Sequence, residues 1–429
     1  MQTSFTLAQL ADPKIAEAES ILRKCVHCGF CTATCPTYVT LGNELDSPRG
    51  RIYLIKDMLE NGRAADEEIV THIDRCLTCL ACTTTCPSGV DYAHLVDHAR
   101  VHIENTYKRP MVDRLIRTML AAVLPYPARF RSSLKLAALG RPLVPVLEKI
   151  AALKPLAAML KLAPTSRATA PAIPMPIITE RKGRVAVLTG CAQSVLDPGI
   201  NAATERLLAR FGIEAVKPKG EGCCGALVQH MGRESEVRSF AKANIDAWMR
   251  EIDGQGLDAI IITTSGCGTT IKDYAHMLKD DAEYAAKAAT VTALAKDITE
   301  YLASLDLPAP KLRTGLSVAY HAACSLQHGQ KVTKAPKDLL TNAGFVVREP
   351  AESHLCCGSA GTYNILQPDI AEKLRDRKVR NIEATGAVIV AAGNIGCMTQ
   401  IGSKSRLPVA HTVELLEWAY GGEKPTKLM

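Results

Sequence analysis

The run Cys25-Val-His-Cys-Gly-Phe-Cys-Thr-Ala-Thr-Cys35-Pro36 returns at residues 76–87 as Cys-Leu-Thr-Cys-Leu-Ala-Cys-Thr-Thr-Thr-Cys-Pro. Both follow C-x2-C-x2-C-x3-C-P. Iron–sulfur cubanes take four thiolates, and in two-cluster ferredoxins the fourth cysteine of each run serves the other cluster. The expectation is that Cys25, Cys28, Cys31 and Cys86 hold one 4Fe–4S cluster, and Cys76, Cys79, Cys82 and Cys35 a second. Pro36 and Pro87 turn the chain away after the last ligand and remove an N–H that would need a partner. Structural zinc is the competing reading, but zinc sites pair two C-x2-C knuckles and do not repeat a four-thiol run closed by proline.

The surroundings predict a helical module over residues 1–107. Ser47-Pro48 reads as an N-cap followed by proline at the first helical position. Ile52, Ile55 and Leu59 then recur at helical spacing, and Gly62 closes the segment. Residues 66–76 lead a further helix into the second run. His27, His72, His94 and His98 are expected to face solvent or to serve hydrogen bonds, since thiols already fill both sites. The N-terminus has neither the basic start nor the apolar stretch of a secretory signal, so the sixteen cysteines read as metal ligands in a reducing, cytoplasmic setting. Aromatic residues make up 4% of the chain, which argues against base stacking and nucleic-acid partners.

Residues 108–182 differ in texture. Between 108 and 167 lie twelve Lys or Arg against Asp113 and Glu148, interleaved with apolar helical pieces and broken by Pro125, Pro127, Pro142, Pro145 and Pro155. Such helices lie on anionic membranes or pack their apolar faces on protein, and the pattern leaves both open. The apolar runs are too short to span a bilayer. Residues 164–182 read as a Pro-rich linker.

The second half, 183–305 and 306–429, alternates strands and helices twice. Cys191, the pair Cys223-Cys224 and Cys267 are answered by Cys324, Cys356-Cys357 and Cys397, at offsets of 133, 133 and 130 residues. This predicts a duplicated α/β unit whose strands deliver thiols to one end, where such sheets gather ligands. Each repeat offers four thiols, enough for a further iron–sulfur cluster, or else a redox-active dithiol. His321 and His354 are candidates for hydrogen bonds to sulfur or for plain surface residues. The fold class expected is α+β multidomain: a helical two-cluster ferredoxin-type domain followed by a duplicated cysteine-rich domain built on Cys-Cys-Gly.

The two N-terminal runs, Ser-Pro-Arg-Gly-Arg-Ile-Tyr-Leu-Ile-Lys at 47–56, Gly-Cys-Cys-Gly-Ala, Ser-Gly-Cys-Gly, His-Leu-Cys-Cys-Gly-Ser-Ala-Gly-Thr-Tyr and Asn-Ile-Gly-Cys come in an order that resembles the iron–sulfur subunit of glycolate oxidase, from about residue 15 to about 415. The iron–sulfur subunits of anaerobic glycerol-3-phosphate dehydrogenase and of heterodisulfide reductase share the layout. The resemblance implies an oxidoreductase complex in which separate FAD-binding subunits oxidise glycolate to glyoxylate. This chain would pass the electrons to a quinone or another acceptor, at the inner face of the cell membrane. Where full Cys-Cys-Gly domains end in C-x-x-C, Cys267 is followed by Gly-Thr-Thr and Cys397 by Met-Thr-Gln, so the fifth thiol is missing twice. No dinucleotide fingerprint, serine elbow or zinc-protease pattern appears, which favours an electron carrier over a self-sufficient enzyme. Alternatives are a subunit of a related flavin dehydrogenase for glycerol-3-phosphate or lactate, a heterodisulfide-reductase-like protein, and a zinc-bearing interaction module.

Overall fold

The computed structural model describes residues 1–164, 169–170 and 172–428; residues 165–168 and 171 of the Pro-rich linker lie outside the described set. The N-terminal module is helical, with Pro13–Arg23, Pro48–Glu60, Glu67–Asp74 and Tyr92–Thr106 around a core that includes Leu22, Ile55, Met58, Ile73, Leu95 and Ile103. Ser47 caps Pro48–Glu60 by accepting from the Gly50 N–H at 3.0 Å. Gly50 has no room for a side chain, since a Cβ there would lie 2.1 Å from the Glu44 carbonyl oxygen. That crowding presses the segment carrying Asp46 against the helix.

The basic stretch folds as Met111–Val123, Pro127–Gly140, Val144–Leu147 and Lys154–Leu162. Of the two fates its sequence allowed, packing is realised on one face: Ile116, Leu120 and Ala121 share a core with Val228, Met231 and Val237 of the first repeat. Arg109 Nη1 and Arg117 Nη2 each lie 2.7 Å from Asp74 Oδ2, fastening this stretch to the N-terminal module. Leu136, Leu139, Leu143 and Val146 remain exposed. Among the described residues no helix is long and apolar enough to cross a membrane.

The second half contains two four-stranded sheets. Strands β1 (Gly183–Val187), β2 (Ile213–Val216), β3 (Ala259–Ile262) and β4 (Ala295–Asp297) run in the order β2-β1-β3-β4. Strands β5 (Ser317–His321), β6 (Val346–Arg348), β7 (Ile389–Ala392) and β8 (Val409–His411) repeat it as β6-β5-β7-β8. All neighbours are parallel, and helices cover the faces, so β3 and β7 are buried along their whole length and β1 and β5 in all but their first residue. The repeats interlock: Gly199–Arg210 of the first packs on Thr412–Ala419 of the second, and Ile298–Ala303 packs on Ala335–Asn342. One apolar core joins Val187 and Ile261 to Val318, Tyr320 and Ile389. Cys267 and Cys397, expected at strand ends, instead lie in the first turns of Ser265–Lys272 and Ile395–Gly402, which begin just after β3 and β7.

Candidate iron–sulfur sites

Each N-terminal run winds around a pocket with the same backbone device. His27 and Gly29 in the first run, and Thr78 and Leu80 in the second, all take positive φ, at 55°, 83°, 50° and 60°. For a β-branched residue such as Thr78 this region is unfavourable, costing about 1–3 kcal/mol, and it persists only where surrounding structure imposes it. Here the imposing structure is explicit: Arg100 donates from Nη1 to Thr78 Oγ1 at 2.6 Å and from Nη2 to the Cys76 carbonyl at 2.7 Å.

The thiols separate into two sets. Cys25, Cys28, Cys31 and Cys86 line one small cavity; Cys35, Cys76 and Cys79 line a second, and Cys82 borders both. The fourth cysteine of each run thus sits with the first three of the other. Cys28 is exposed, between exposed Val26 and Phe30, whereas the second set is buried.

A fully buried cation serves the second pocket. Arg51 donates from Nε to the His72 carbonyl at 2.7 Å and from Nη2 to Thr37 Oγ1 at 2.9 Å. Asp46 Oδ1 lies 3.7 Å from Arg51 Nη2, and the same carboxylate meets His72 Nδ1 at 2.8 Å and Arg75 Nη1 at 3.0 Å. The Tyr92 hydroxyl points at Cys76 Sγ from 3.7 Å. Burial works to raise the Cys76 pKa, but Arg51 and Arg100 outweigh it and bring the thiol below its ordinary range. Burial and neighbouring thiols push Cys79 and Cys82 well up. Crowded buried thiols of this kind are costly as bare thiolates and fit a positively charged metal centre among them. Sequence reasoning missed Arg51 as a functional group. Its signal was a basic residue on the apolar face of Pro48–Glu60, in step with Ile55 and Met58.

The duplicated half brings its thiols together in fours. In the second repeat Cys324 and Cys356 sulfurs are 3.6 Å apart, Cys356 adjoins Cys357, and Cys357 adjoins Cys397. Cys191, Cys223, Cys224 and Cys267 form the same chain of neighbours in the first. In each turn the glycine N–H donates to the first sulfur of the pair, Gly225 to Cys223 and Gly358 to Cys356, both at 3.4 Å. Both glycines have φ near 90°, and a Cβ on Gly358 would lie 2.6 Å from the Ala371 carbonyl oxygen. His321 is buried with a ring nitrogen near Cys357 and Cys397. His354 is half-buried, and its carbonyl accepts from His328 Nε2 at 3.2 Å.

Between the two sets of four lies a cavity of about 670 Å³. Cys191, Cys224, Cys267, Cys324, Cys356 and Cys397 line its floor, and Leu120, Leu134, Leu143, Leu156 and Leu160 of the basic stretch roof it. The N-terminal module reaches the same place. Cys79 shares a buried cluster with Leu77, Cys356 and the half-buried Cys324.

Known proteins place this architecture. Residues 21–90 match the 4Fe-4S dicluster domain, and residues 185–272 and 318–402 each match the cysteine-rich domain. The glycolate oxidase iron-sulfur subunit of Escherichia coli (strain K12) is 44% identical over 419 residues, covering 98% of this chain and 99% of that protein. A Bacillus subtilis (strain 168) protein described as "Probable glycolate oxidase iron-sulfur subunit" is 33% identical, covering 94% and 95%. Lactate utilization protein A of Halalkalibacterium halodurans is 26% identical over 241 residues, 54% of this chain and 96% of that protein. A crystal structure of a hypothetical protein from Helicobacter pylori superposes with a TM-score of 0.57 at 10% identity, over 97% of this chain and 74% of that one, and shows a shared fold. Likeness that runs end to end, through both thiol runs and both repeats, cannot come from one borrowed module: the chain belongs to the family of glycolate oxidase iron–sulfur subunits, carriers of electrons within an oxidoreductase complex.

Proposed function

We propose that this chain conducts electrons from FAD-binding partner subunits, which oxidise glycolate to glyoxylate, to a quinone. Cys25, Cys28, Cys31 and Cys86 would hold one 4Fe–4S cluster, and Cys76, Cys79, Cys82 and Cys35 the other; bound clusters supply one-electron transfer. The thiols of the two repeats would hold further iron–sulfur groups.

One observation carries this reading: the thiol sets form an unbroken succession. Cys82 borders both N-terminal pockets, and Cys79 shares a core with Cys324 and Cys356. The exposed rim of Val26, Cys28 and Phe30 is the side suited to receive a flavoprotein. The apolar cavity at the far end suits a quinone ring, and its roof helices offer lysines, arginines and exposed leucines to the inner face of the cell membrane. A cytoplasmic chain held at that surface needs no membrane-spanning helix.

The test is to co-purify the chain anaerobically with its flavoprotein partners and offer glycolate, lactate and glycerol-3-phosphate in turn. Glycolate should bleach the iron–sulfur absorbance fastest, and a water-soluble quinone should restore it. Bleaching by lactate but not glycolate would assign the chain to a lactate-oxidising complex, the reading that its partial likeness to lactate utilization protein A favours.

A further inference from the structure

The repeats match in thiols and differ in what faces them. Three residues before the first thiol, the first repeat has Leu188, which packs into an apolar core with Cys224 and Ile262. The second repeat has His321 at that position, closing strand β5 in register with Ala392. His321 is 2% exposed. One of its ring nitrogens, Cys357 Sγ and Cys397 Sγ all lie within 4.8 Å of one another. Among the described residues its Nε2 has no hydrogen-bond partner.

A buried polar nitrogen without a partner costs about 1–3 kcal/mol, and leucine at this position in the first repeat shows that the strand tolerates an apolar side chain. The imidazole is therefore explained by what it faces. Neutral imidazole is the commonest nitrogen donor to transition metals, and iron accepts mixed nitrogen–sulfur ligand sets.

We propose that His321 is a nitrogen donor to the iron–sulfur group held by Cys324, Cys356, Cys357 and Cys397, making the second repeat a mixed nitrogen–sulfur site and leaving the first an all-thiol one. This rests on the reading that the second repeat holds iron. Imidazole brings no negative charge, so exchanging it for a further thiolate lowers the reduction potential of the site.

The experiment compares the complete complex containing native chain, native chain labelled with 15N-histidine, and the His321→Gln and His321→Cys variants. Each is purified anaerobically, counted for iron and sulfide per chain, and examined in the reduced state by nitrogen hyperfine spectroscopy. The expected result is a nitrogen coupling that changes with the isotope and disappears in both variants, with His321→Cys also lowering the midpoint potential of one signal and leaving the N-terminal signals unmoved. An unaltered nitrogen coupling in His321→Gln at full iron content would overturn the proposal. If no variant folds, the labelled native chain still decides against it by showing no isotope-sensitive coupling. An iron count accounted for by the N-terminal thiols alone would remove the prior reading, a failure distinguishable from a repeat that holds iron without histidine.

Discussion

The guanidinium of Arg51 is completely buried and holds Nη1 3.9 Å from the sulfur of Cys35, the one thiol of its pocket that comes from the other run. A fixed positive charge beside a thiolate favours the more reduced, more negative state of whatever the thiols hold. Arg51→Met should lower the midpoint potential of the signal that depends on Cys76, Cys79 and Cys82. It should also cost about 3–5 kcal/mol of stability, because Asp46 loses one of its buried cations. Potentiometric titration followed by EPR, beside denaturant unfolding, reads both effects. An unmoved potential would mean that the Arg51 charge does not reach the site.

The proposed exchange of fourth ligands predicts crossed phenotypes. Cys35→Ser should damage the centre shared with Cys76, Cys79 and Cys82, and Cys86→Ser the one shared with Cys25, Cys28 and Cys31. Resolved EPR signals and iron counts distinguish this from the uncrossed outcome, in which each serine would harm the centre of its own run.

His94 clasps the N-terminal module to the first repeat. Its Nδ1 lies 2.7 Å from Asp91 and its Nε2 2.9 Å from Asp273, while its ring stacks on His276, which pairs with Glu17. Burial opposes protonation, but the hydrogen bonds to Asp273 and Asp91 prevail and lift the His94 pKa from 6.5 to about 10. The folded value exceeds the unfolded one, so this stabilisation is complete below pH 6.5 and is lost as pH rises through about 10. Urea unfolding across that window should show falling stability in the native chain. The His94→Gln variant should show a flatter dependence.

Asp74 anchors the basic stretch through Arg109 and Arg117, both largely buried. Burial alone would raise its pKa, yet the two guanidinium groups hold the carboxyl below its ordinary value. Asp74→Asn should leave two poorly compensated cations and cost about 3 kcal/mol. Thermal unfolding checks the size, and proteolysis between residues 108 and 163 should accelerate. Iron content should not change.

Local chemistry decided what could be read without coordinates. Thiol spacing announced two pockets and a duplication because ligand geometry is written in short intervals. The start of Pro48–Glu60 was legible because capping is equally local. The roof over the cavity was not: an amphipathic helix declares an apolar face without saying what meets it, and Ile116 and Leu120 find partners more than a hundred residues away. His321 and His354 looked alike in sequence, and only the fold buries one against sulfur and leaves the other half-buried near the surface. The helical placement of Cys267 and Cys397 was missed because an apolar strand running into Ser-Gly or Asn-Ile-Gly shows no clear stop.

The interlocked cores of the two repeats bear on what joining them in one chain achieves. Each repeat offers its partner the same pair of helices in reciprocal fashion, the pattern of a two-fold dimer. A chain with one repeat would bury that face only by meeting its own copy, at a rate and extent set by its abundance. Within one chain the encounter is intramolecular and independent of concentration. It also leaves the halves free to differ, Leu188 standing in one where His321 stands in the other.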